Sequence, residues 1–279
     1  MSDVGVLDKV MAILHSFDDG VTRLEPRAVA AEAGMTAPTA YRLMKGMAEH
    51  GLLEQDASGY RLGVALLHLG ARVADGLEVR RVAMPHMEWL RDQTHENAEL
   101  HLRHGNSRVP VEVVHSRLNL RPIGQVGVPF PLHIGASAKV LLAWMDPAAS
   151  QAVARASHES HRDGREFDAH WLDRQLAEVR TQGWAFTDGE REVGVASVAA
   201  PVRDRVGAVV AALVVSAPSA RLPGPPTSDD AIGLVVEAAH RVSRGLGYVD
   251  PATSTANGHG TSQAAGTATR STTATREGA

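Results

Sequence analysis

The stretch MTAPTAYRLMKGMAEHGLL, residues 35–53, determines how the N-terminal part of the chain folds. On a helical wheel its apolar side chains fall on one side: Ala40, Leu43, Met44 and Met47. The opposite side carries Pro38, Tyr41, Arg42, Lys45 and Glu49. The pattern predicts a helix that opens at Thr36 or Ala37 and ends at Gly51, since glycine readily takes the left-handed conformation that stops a helix. A polar face is ordinary on an exposed helix, so the flanking sequence is needed to decide whether this face has a function.

The flanking sequence predicts two short helices before this one and a hairpin after it. The helices are expected over 4–17 and 24–35, the second with Pro26 in its first turn and Gly34 at its end. Residues 52–63 form two short extended runs around an Asp-Ala-Ser-Gly turn. This order has the spacing of a helix-turn-helix followed by a wing, and predicts a DNA-binding domain over residues 1–63.

The outward residues are of types that reach DNA. Arginine and lysine bind phosphates or guanine edges, and threonine and tyrosine hydroxyls bind phosphate oxygens. The candidate DNA contacts are Arg27, Thr36, Pro38, Thr39, Tyr41, Arg42, Lys45 and Arg61. Residues 1–63 hold six basic and nine acidic side chains, a net charge of −3, so the case for double-stranded operator DNA rests on local placement. Asp18, Asp19, Glu25 and Asp56 are expected to point away from the DNA.

The rest of the chain predicts a linker helix and a second, α+β domain. Leu66, Leu69 and Val73 mark a linker helix over 64–80. The second domain is expected over 81–250, and helices are expected over 78–93, from 137 onward, and over 147–157, 168–182 and 229–246. Alternation predicts mostly antiparallel strands at 98–102, 111–116, 123–128, 195–202 and 208–216. Residues 251–279 are Thr, Ser, Ala and Gly-rich without large apolar side chains, which predicts a disordered tail.

Composition narrows the class of protein. The chain has no cysteine, which excludes disulfides and thiolate metal sites and suits a reducing compartment. Its first residues are acidic where a signal peptide would be basic, and no apolar run is long enough for a membrane span. We therefore expect a cytoplasmic protein with no membrane partner.

Two later blocks resemble a known family. PLHIGASAKVLLA, residues 131–143, and DGEREVGVASVAAPVRDRVGAVVAALVVSAPSARL, residues 188–222, join the N-terminal pattern in resembling an IclR-type transcriptional regulator. The resemblance implies an N-terminal winged helix-turn-helix, a C-terminal GAF-like effector-binding domain with a curved antiparallel sheet, and a homodimer or homotetramer. It also implies a ligand-responsive regulator, which we expect to be a repressor, with no enzymatic activity and no cofactor.

Candidate effector contacts surround the start of the helix at 137. The small residues Gly135, Ala136, Ser137 and Ala138 leave backbone N–H groups open to an anion such as a carboxylate, although small residues also serve close helix-to-sheet packing. The resemblance implies further pocket residues: Val195, Ser197, Val214, Ser216, Asp188 and Glu190. Val214 could equally be plain core, and the two acids could lie in a solvated turn.

Three alternatives to an effector-binding domain are an enzyme, a metal site and a dimerisation module. Ser137 and Lys139 lie about 200° apart on a helix, so the lysine cannot act as a base for the serine, and no Gly-x-Ser-x-Gly or P-loop is present. The fourteen histidines raise the question of metal, but there is no His-Glu-x-x-His, His101 and His104 face opposite ways on a strand, and His133 is expected to pack inside. A dimerisation module without a ligand remains open; melting against small acids would identify an effector.

Overall fold

The computed structural model describes residues 5–17, 21–161 and 166–250. The chain forms two compact units that divide between Arg81 and Val82. The expected tail over 251–279 and the expectation for Asp18 and Asp19 lie outside the described residues. In the part of the chain that is described, no helix is both long and apolar enough to cross a membrane.

The N-terminal unit is a winged helix-turn-helix. Its elements are α1 (Val6–His15), α2 (Pro26–Glu32), α3 (Ala37–Glu49), β1 (Leu53–Asp56), β2 (Gly59–Leu62) and α4 (Val64–Gly76). The core side chains come from every element except α4: Ile13, Val29, Met44, Met47, Leu53 and Tyr60. The apolar side of α3 therefore faces this core, as its sequence pattern predicts.

The turn between α2 and α3 depends on one glycine. Gly34 has a φ of +61°, a conformation that side chains with a Cβ rarely adopt. The second helix is shorter than the expected 24–35, because the Leu24 backbone pairs with Tyr60 of the hairpin instead. That pairing joins the wing to the start of α2.

The C-terminal unit combines helices with one antiparallel sheet. Its helices are α5 (Glu78–Thr94), which begins at the boundary, α6 (Ala136–Ala143), α7 (Pro147–His161), α8 (Ala169–Gln182) and α9 (Asp229–Gly245). Its strands are β3 (Asn97–His104), β4 (Ser107–Val114), β5 (Phe130–Pro131), β6 (Ala185–Asp188), β7 (Val195–Arg203) and β8 (Val209–Pro218). The order in the six-stranded sheet is β5-β4-β3-β8-β7-β6, and all pairs are antiparallel. The predicted α+β class is confirmed.

Strand register places polar side chains on one buried face of this sheet. Glu99 pairs with Val214, and Ser197 pairs with Ser216, so all four side chains share a face. Helix α6 packs against β7 and β8, and Ala199, Ala212 and Val214 join its core. The face that carries the predicted effector residues is therefore covered by α6.

The prediction of a strand over 123–128 was wrong. This segment is an irregular crossing between β4 and β5, and Ile123 is 77% exposed. A Cβ on Gly124 would lie 2.8 Å from a Val113 methyl and 3.4 Å from Glu99 Oε1, and Gly127 has a φ of +86°. Close approach and a left-handed turn thus replace the strand, while β6, which the sequence pattern did not reveal, completes the sheet edge.

Candidate functional site

Helix α3 presents a polar surface to solvent. Tyr41, Arg42 and Lys45 are exposed, whereas Ala40 and Met44 on the opposite side are fully buried. Arg27, Thr36, Pro38 and Arg61 are also exposed and Thr39 is half-buried. The Thr36 and Thr39 hydroxyls are 2.9 Å apart and bond to each other across the first turn of α3.

A cleft of about 570 Å³ separates α2 and α3 from the tip of the hairpin. It brings together three of the predicted DNA contacts, Arg27, Pro38 and Tyr41. Glu25 and Asp56 line the same cleft, so the expectation that these two acids point away from this surface was wrong. The reason is local: Asp56 begins the wing-tip turn and accepts hydrogen bonds from the Ser58 backbone and hydroxyl.

Ion pairing distinguishes the basic residues of this surface. Arg61 is bound to Glu54 across the hairpin, with Nη2 2.6 Å from Oε2. Among the described residues, Arg27, Arg42 and Lys45 make no ion pair and keep their charge available for a phosphate or a base edge. The free positive charge therefore lies on α2 and α3 rather than on the wing.

The second candidate site is a small pocket between α6 and the buried face of the sheet. Its open space is about 30 Å³, room for one or two water molecules. Seven predicted effector residues line it: Gly135, Ala136, Ser137, Val195, Ser197, Val214 and Ser216. The other three predicted effector residues, Ala138, Asp188 and Glu190, do not line this pocket. Ala138 is in the core, Asp188 accepts a hydrogen bond from Ser219 at the sheet edge, and Glu190 faces a neighbouring cavity.

Glu190 occupies the anion-binding position at the start of α6. One carboxylate oxygen accepts the Gly135 N–H at 2.9 Å, and the other lies 2.5 Å from Lys139 Nζ. Lys139 is only 2% exposed; it also donates to Gln175 and lies 4.8 Å from the Trp171 ring centroid. The backbone site expected to hold a ligand carboxylate is thus filled by the protein's own.

Two arginines that the sequence analysis missed supply positive charge to the pocket. Arg108 is 3% exposed, and its Nη1 donates to the carbonyls of Pro131 and Ile134. Its buried Nε has no hydrogen-bond partner among the described residues. Burial, and next the charge of Arg191, lowers the pKa of Arg108 to about 9, so the group is still a cation at neutral pH. The Arg191 guanidinium lies 4.4 Å from the Phe130 ring centroid.

The wall opposite α6 holds a buried acid and a histidine. Glu99 Oε2 lies 2.9 Å from His101 Nε2, and His101 Nδ1 lies 2.9 Å from Ser137 Oγ. Burial alone would raise the pKa of Glu99, but the hydrogen bond and charge interaction with His101, and then the Arg191 charge, keep it below its ordinary value. Burial lowers the pKa of His101 despite Glu99, and Arg108 and Arg191 lower it further.

These residue types also form catalytic triads in hydrolases, where a backbone N–H stabilises the oxyanion. Here the Gly135 N–H is already bound to Glu190.

Within the described residues, no group of three or more His, Asp and Glu side chains could hold a metal ion. His133 is 5% exposed, and its Nδ1 is 3.2 Å from the Ser157 hydroxyl. The arrangement fits binding of a small polar ligand.

The missed residues had a weak signal in the sequence. Glu99 and His101 alternate with Ala98 and Leu100, a pattern usually taken to place the polar side chains in solvent. Both faces of β3 are covered, so these side chains are 5% and 4% exposed. The expected strands began at residue 111 and at residue 123, so the pairing of Arg108 with Phe130 was not predicted.

Two family descriptions match the chain. "IclR helix-turn-helix domain" matches residues 6–57, and "Bacterial transcriptional regulator IclR C-terminal" matches residues 71–244. Among similar proteins, the "Glycerol operon regulatory protein" of Streptomyces griseus is 32% identical over 244 residues, 86% of this chain and 96% of that protein. "HTH-type transcriptional regulator KdgR" of Escherichia coli is 30% identical over 249 residues, 87% of this chain and 92% of that protein.

Solved structures agree with these matches. An IclR family transcriptional regulator from Brucella abortus aligns with a TM-score of 0.74 at 26% identity, over 86% of this chain and 92% of its own. An IclR homologue from Microbacterium hydrocarbonoxydans, complexed with 4-hydroxybenzoate, shares the fold with a TM-score of 0.73 at 24% identity, over 87% of this chain and 99% of its own. The chain thus belongs to the IclR family of bacterial transcriptional regulators, helix-turn-helix DNA-binding proteins with a C-terminal ligand-binding domain and no enzymatic activity.

Proposed function

We propose that this protein is a repressor whose C-terminal domain binds a small carboxylate and thereby changes how the N-terminal domain binds its operator. The observation that carries the carboxylate is the buried Arg108, which lines the same pocket as Arg191 and whose Nε has no hydrogen-bond partner among the described residues. A buried donor without a partner costs free energy, and a carboxylate is the acceptor that a guanidinium binds best. The repressor role is supported by one relative, "HTH-type transcriptional repressor AllR" of Klebsiella pneumoniae, which is 25% identical.

The ligand carboxylate is proposed to bind the arginines rather than the N-terminus of α6. Glu190 already bonds the Gly135 N–H and the buried Lys139, and replacing it would leave Lys139 without its counter-ion. Within the described residues Arg108 makes no ion pair, whereas Arg191 pairs with Glu192, with Nη2 3.4 Å from Oε2. We therefore assign the ligand carboxylate to Arg108 as its ion-pair partner.

On the DNA side, we propose that Arg42 and Lys45 enter the major groove with Tyr41, and that Arg27 holds a phosphate beside them. The absence of ion pairs at these three basic side chains, within the described residues, supports this assignment. The Thr36 and Thr39 hydroxyls are proposed to donate hydrogen bonds to phosphates. Arg61 positions the wing through Glu54 rather than contributing a free charge.

A homodimer, or a homotetramer built from dimers, is proposed from exposed apolar side chains of the N-terminal unit. On α1, Val6 and Leu7 are 67% and 72% exposed; on α4, Val64, Leu67 and Val73 are 68%, 72% and 66% exposed. Exposed apolar surface concentrated on two helices is typical of an interface between chains. A dimer also sets the spacing of two operator half-sites. We place this activity in the cytoplasm, with the DNA.

Calorimetric titration with formate and acetate tests the carboxylate, using Arg108→Gln and the control Arg103→Gln. Arg103 is the cross-strand neighbour of Arg108 but is exposed. We expect Arg108→Gln to lose at least about tenfold in affinity, since a charged hydrogen bond contributes about 1.5–3 kcal/mol, and Arg103→Gln to lose none. Equal affinities for the two variants would refute the role of Arg108.

Operator binding and assembly are tested separately. Footprinting upstream of the protein's own gene, with and without the bound acid, should show protection that the acid changes. A reporter on the same promoter should rise when the protein is deleted; a fall would make it an activator. Leu67→Arg should reduce the mass measured by light scattering, whereas Leu120→Arg, also at an exposed apolar residue, should not.

A further inference from the structure

A second cavity of the C-terminal unit has no part in the proposed function. Its volume is about 230 Å³, and it lies between the segment before α6, the end of α7 and the start of α8. It shares no lining residue with the pocket that contains Arg108 and Arg191. In another protein a cavity of roughly 150 Å³ is enough to bind benzene. This cavity is therefore large enough for a ligand with a six-membered ring.

Four ring side chains form much of the cavity wall: His133, His158, Phe167 and Trp171. The ring centroids of His133 and His158 lie 5.2 Å apart with the rings edge to face, and those of His158 and Phe167 lie 5.7 Å apart. His133 is 5% exposed, and its Nδ1 contacts the Ser157 hydroxyl. Because the rings pack against one another, they form a wall against which the apolar part of a ligand can be buried.

Two cations of the chain pack against these rings without lining the cavity. Lys139 Nζ lies 4.8 Å from the Trp171 ring centroid, and Lys139 is paired with Glu190. Arg155 Cζ lies 4.9 Å from the Phe167 ring centroid, and Arg155 is exposed. Neither side chain is part of the cavity wall. The positive charges next to the cavity are therefore either already paired or in contact with solvent.

The charged groups that do line the cavity are all acidic. Glu166, Asp168 and Glu190 line it, and no lysine or arginine of the described part of the chain does. Glu190 is paired with Lys139, and Asp168 caps α8 by accepting the Trp171 N–H at 2.9 Å. Glu166 has no ion-pair partner among the residues that the structure describes. The Glu166 carboxylate is therefore available to a ligand, and a cationic donor is the group that it binds best.

We infer that this cavity is a second ligand site, for a small amine that carries an aromatic ring. The ring of the ligand packs among the four ring side chains, and its ammonium group donates to Glu166. An acid in the same place is repelled by the three carboxylates of the wall. The C-terminal unit thus has two sites for ligands of opposite charge, and the amine site does not depend on the carboxylate that we assign to Arg108.

Calorimetric titration of the full chain with benzylammonium tests the inference. Benzyl alcohol is the matched neutral probe, and methylammonium is the matched cation without a ring. Benzylammonium should bind at least about tenfold more tightly than benzyl alcohol, because a charged hydrogen bond contributes more than a neutral one. It should exceed methylammonium by at least about tenfold, because only benzylammonium has a ring to bury. Equal affinities of benzylammonium and benzyl alcohol would refute selection by charge.

The Glu166→Lys variant tests which carboxylate holds the ammonium group. Glu166 is exposed, so the substitution should leave melting unchanged, and the affinity for benzylammonium should fall by about fivefold or more. The matched control is Glu159→Lys, which makes the same charge change at an exposed residue of α7 outside the cavity wall. It should keep the affinity within about twofold, since salt screens distant surface charges. Equal losses in the two variants would contradict the role of Glu166.

Nitrogen–proton NMR spectra show where the amine binds. The indole signal of Trp171, assigned with the Trp171→Phe variant, should move when benzylammonium is added. The signal of Trp89, whose ring packs against Arg241, should stay in place. Binding without a change at Trp171 would put the amine elsewhere and overturn the site, and absence of binding would overturn the inference outright. The acid titrations of the Arg108 variant decide the proposed function separately.

Discussion

Replacing Glu190 by alanine should destabilise the C-terminal unit markedly. The carboxylate holds the Gly135 N–H and the Nζ of Lys139, which is 2% exposed. Removing one partner of a buried ion pair costs about 3–5 kcal/mol, because the other charge is left uncompensated. Lys139 keeps Gln175 Oε1 at 2.8 Å and the Trp171 ring, so we expect the lower end, about 3 kcal/mol.

The measurement is urea denaturation followed by circular dichroism at neutral pH, without ligand. A loss of about 3 kcal/mol corresponds to about 6–12 °C in melting temperature for a unit of this size. The matched control is Glu192→Ala, at a side chain that is 59% exposed and 3.4 Å from Arg191. This exposed pair should contribute less than about 1 kcal/mol.

A double-mutant cycle with Lys139→Met separates the ion pair from other effects of the substitution. With the lysine charge removed, Glu190→Ala should cost only the hydrogen bond to the Gly135 N–H, about 1 kcal/mol. The two substitutions should therefore be less destabilising together than the sum of their separate effects. Strict additivity, or a loss below about 1 kcal/mol for Glu190→Ala alone, would refute the view that Glu190 neutralises a buried lysine.

Three further predictions concern other parts of the chain. Arg42→Ala should weaken operator binding by about 1–3 kcal/mol in a gel-shift assay if it contacts a base edge, with melting and acid binding unchanged; an unchanged affinity removes Arg42 from the interface. Gly124→Ala should lower the free energy of unfolding by about 1–3 kcal/mol, because its Cβ would lie 2.8 Å from Val113. The control Gly233→Ala, exposed in α9 with open space around it, should raise it by about 0.4–1 kcal/mol. The opposite order in urea denaturation would contradict this packing. Deleting 251–279 should leave melting and operator affinity unchanged, since that segment has no large apolar residue to bury; a lower melting temperature would show that it packs.

The helices could be predicted because apolar spacing and turn residues act locally. The buried positions Ala40, Met44 and Met47 fix the orientation of α3, and Gly34 and Gly51 mark its ends. The same reasoning found the last helix within one residue of Asp229–Gly245. The resemblance of the two C-terminal blocks to the IclR family then indicated the architecture of the second domain, which periodicity alone could not.

The interior of the pocket could not be predicted because its polar groups are paired by tertiary contacts. Nothing local indicates that Arg108 crosses to the carbonyl of Ile134, or that Glu190 reaches back to Gly135 across 55 residues. The strand expected over 123–128 failed for a similar reason, since Gly124 is needed for its approach to Val113 and Glu99. Short alternating runs do not reveal which face a later element will cover.

One buried carboxylate, Glu99, is joined through His101 to the Ser137 hydroxyl on α6. A pocket controlled from a single position can change its choice of metabolite without being rebuilt. Exchanging the acceptor at residue 99 for a donor would reverse the hydrogen bonds to His101 and Ser137 and turn the Ser137 hydroxyl toward the pocket. New regulatory responses could then arise on this scaffold by one substitution, with the DNA-reading half left unchanged.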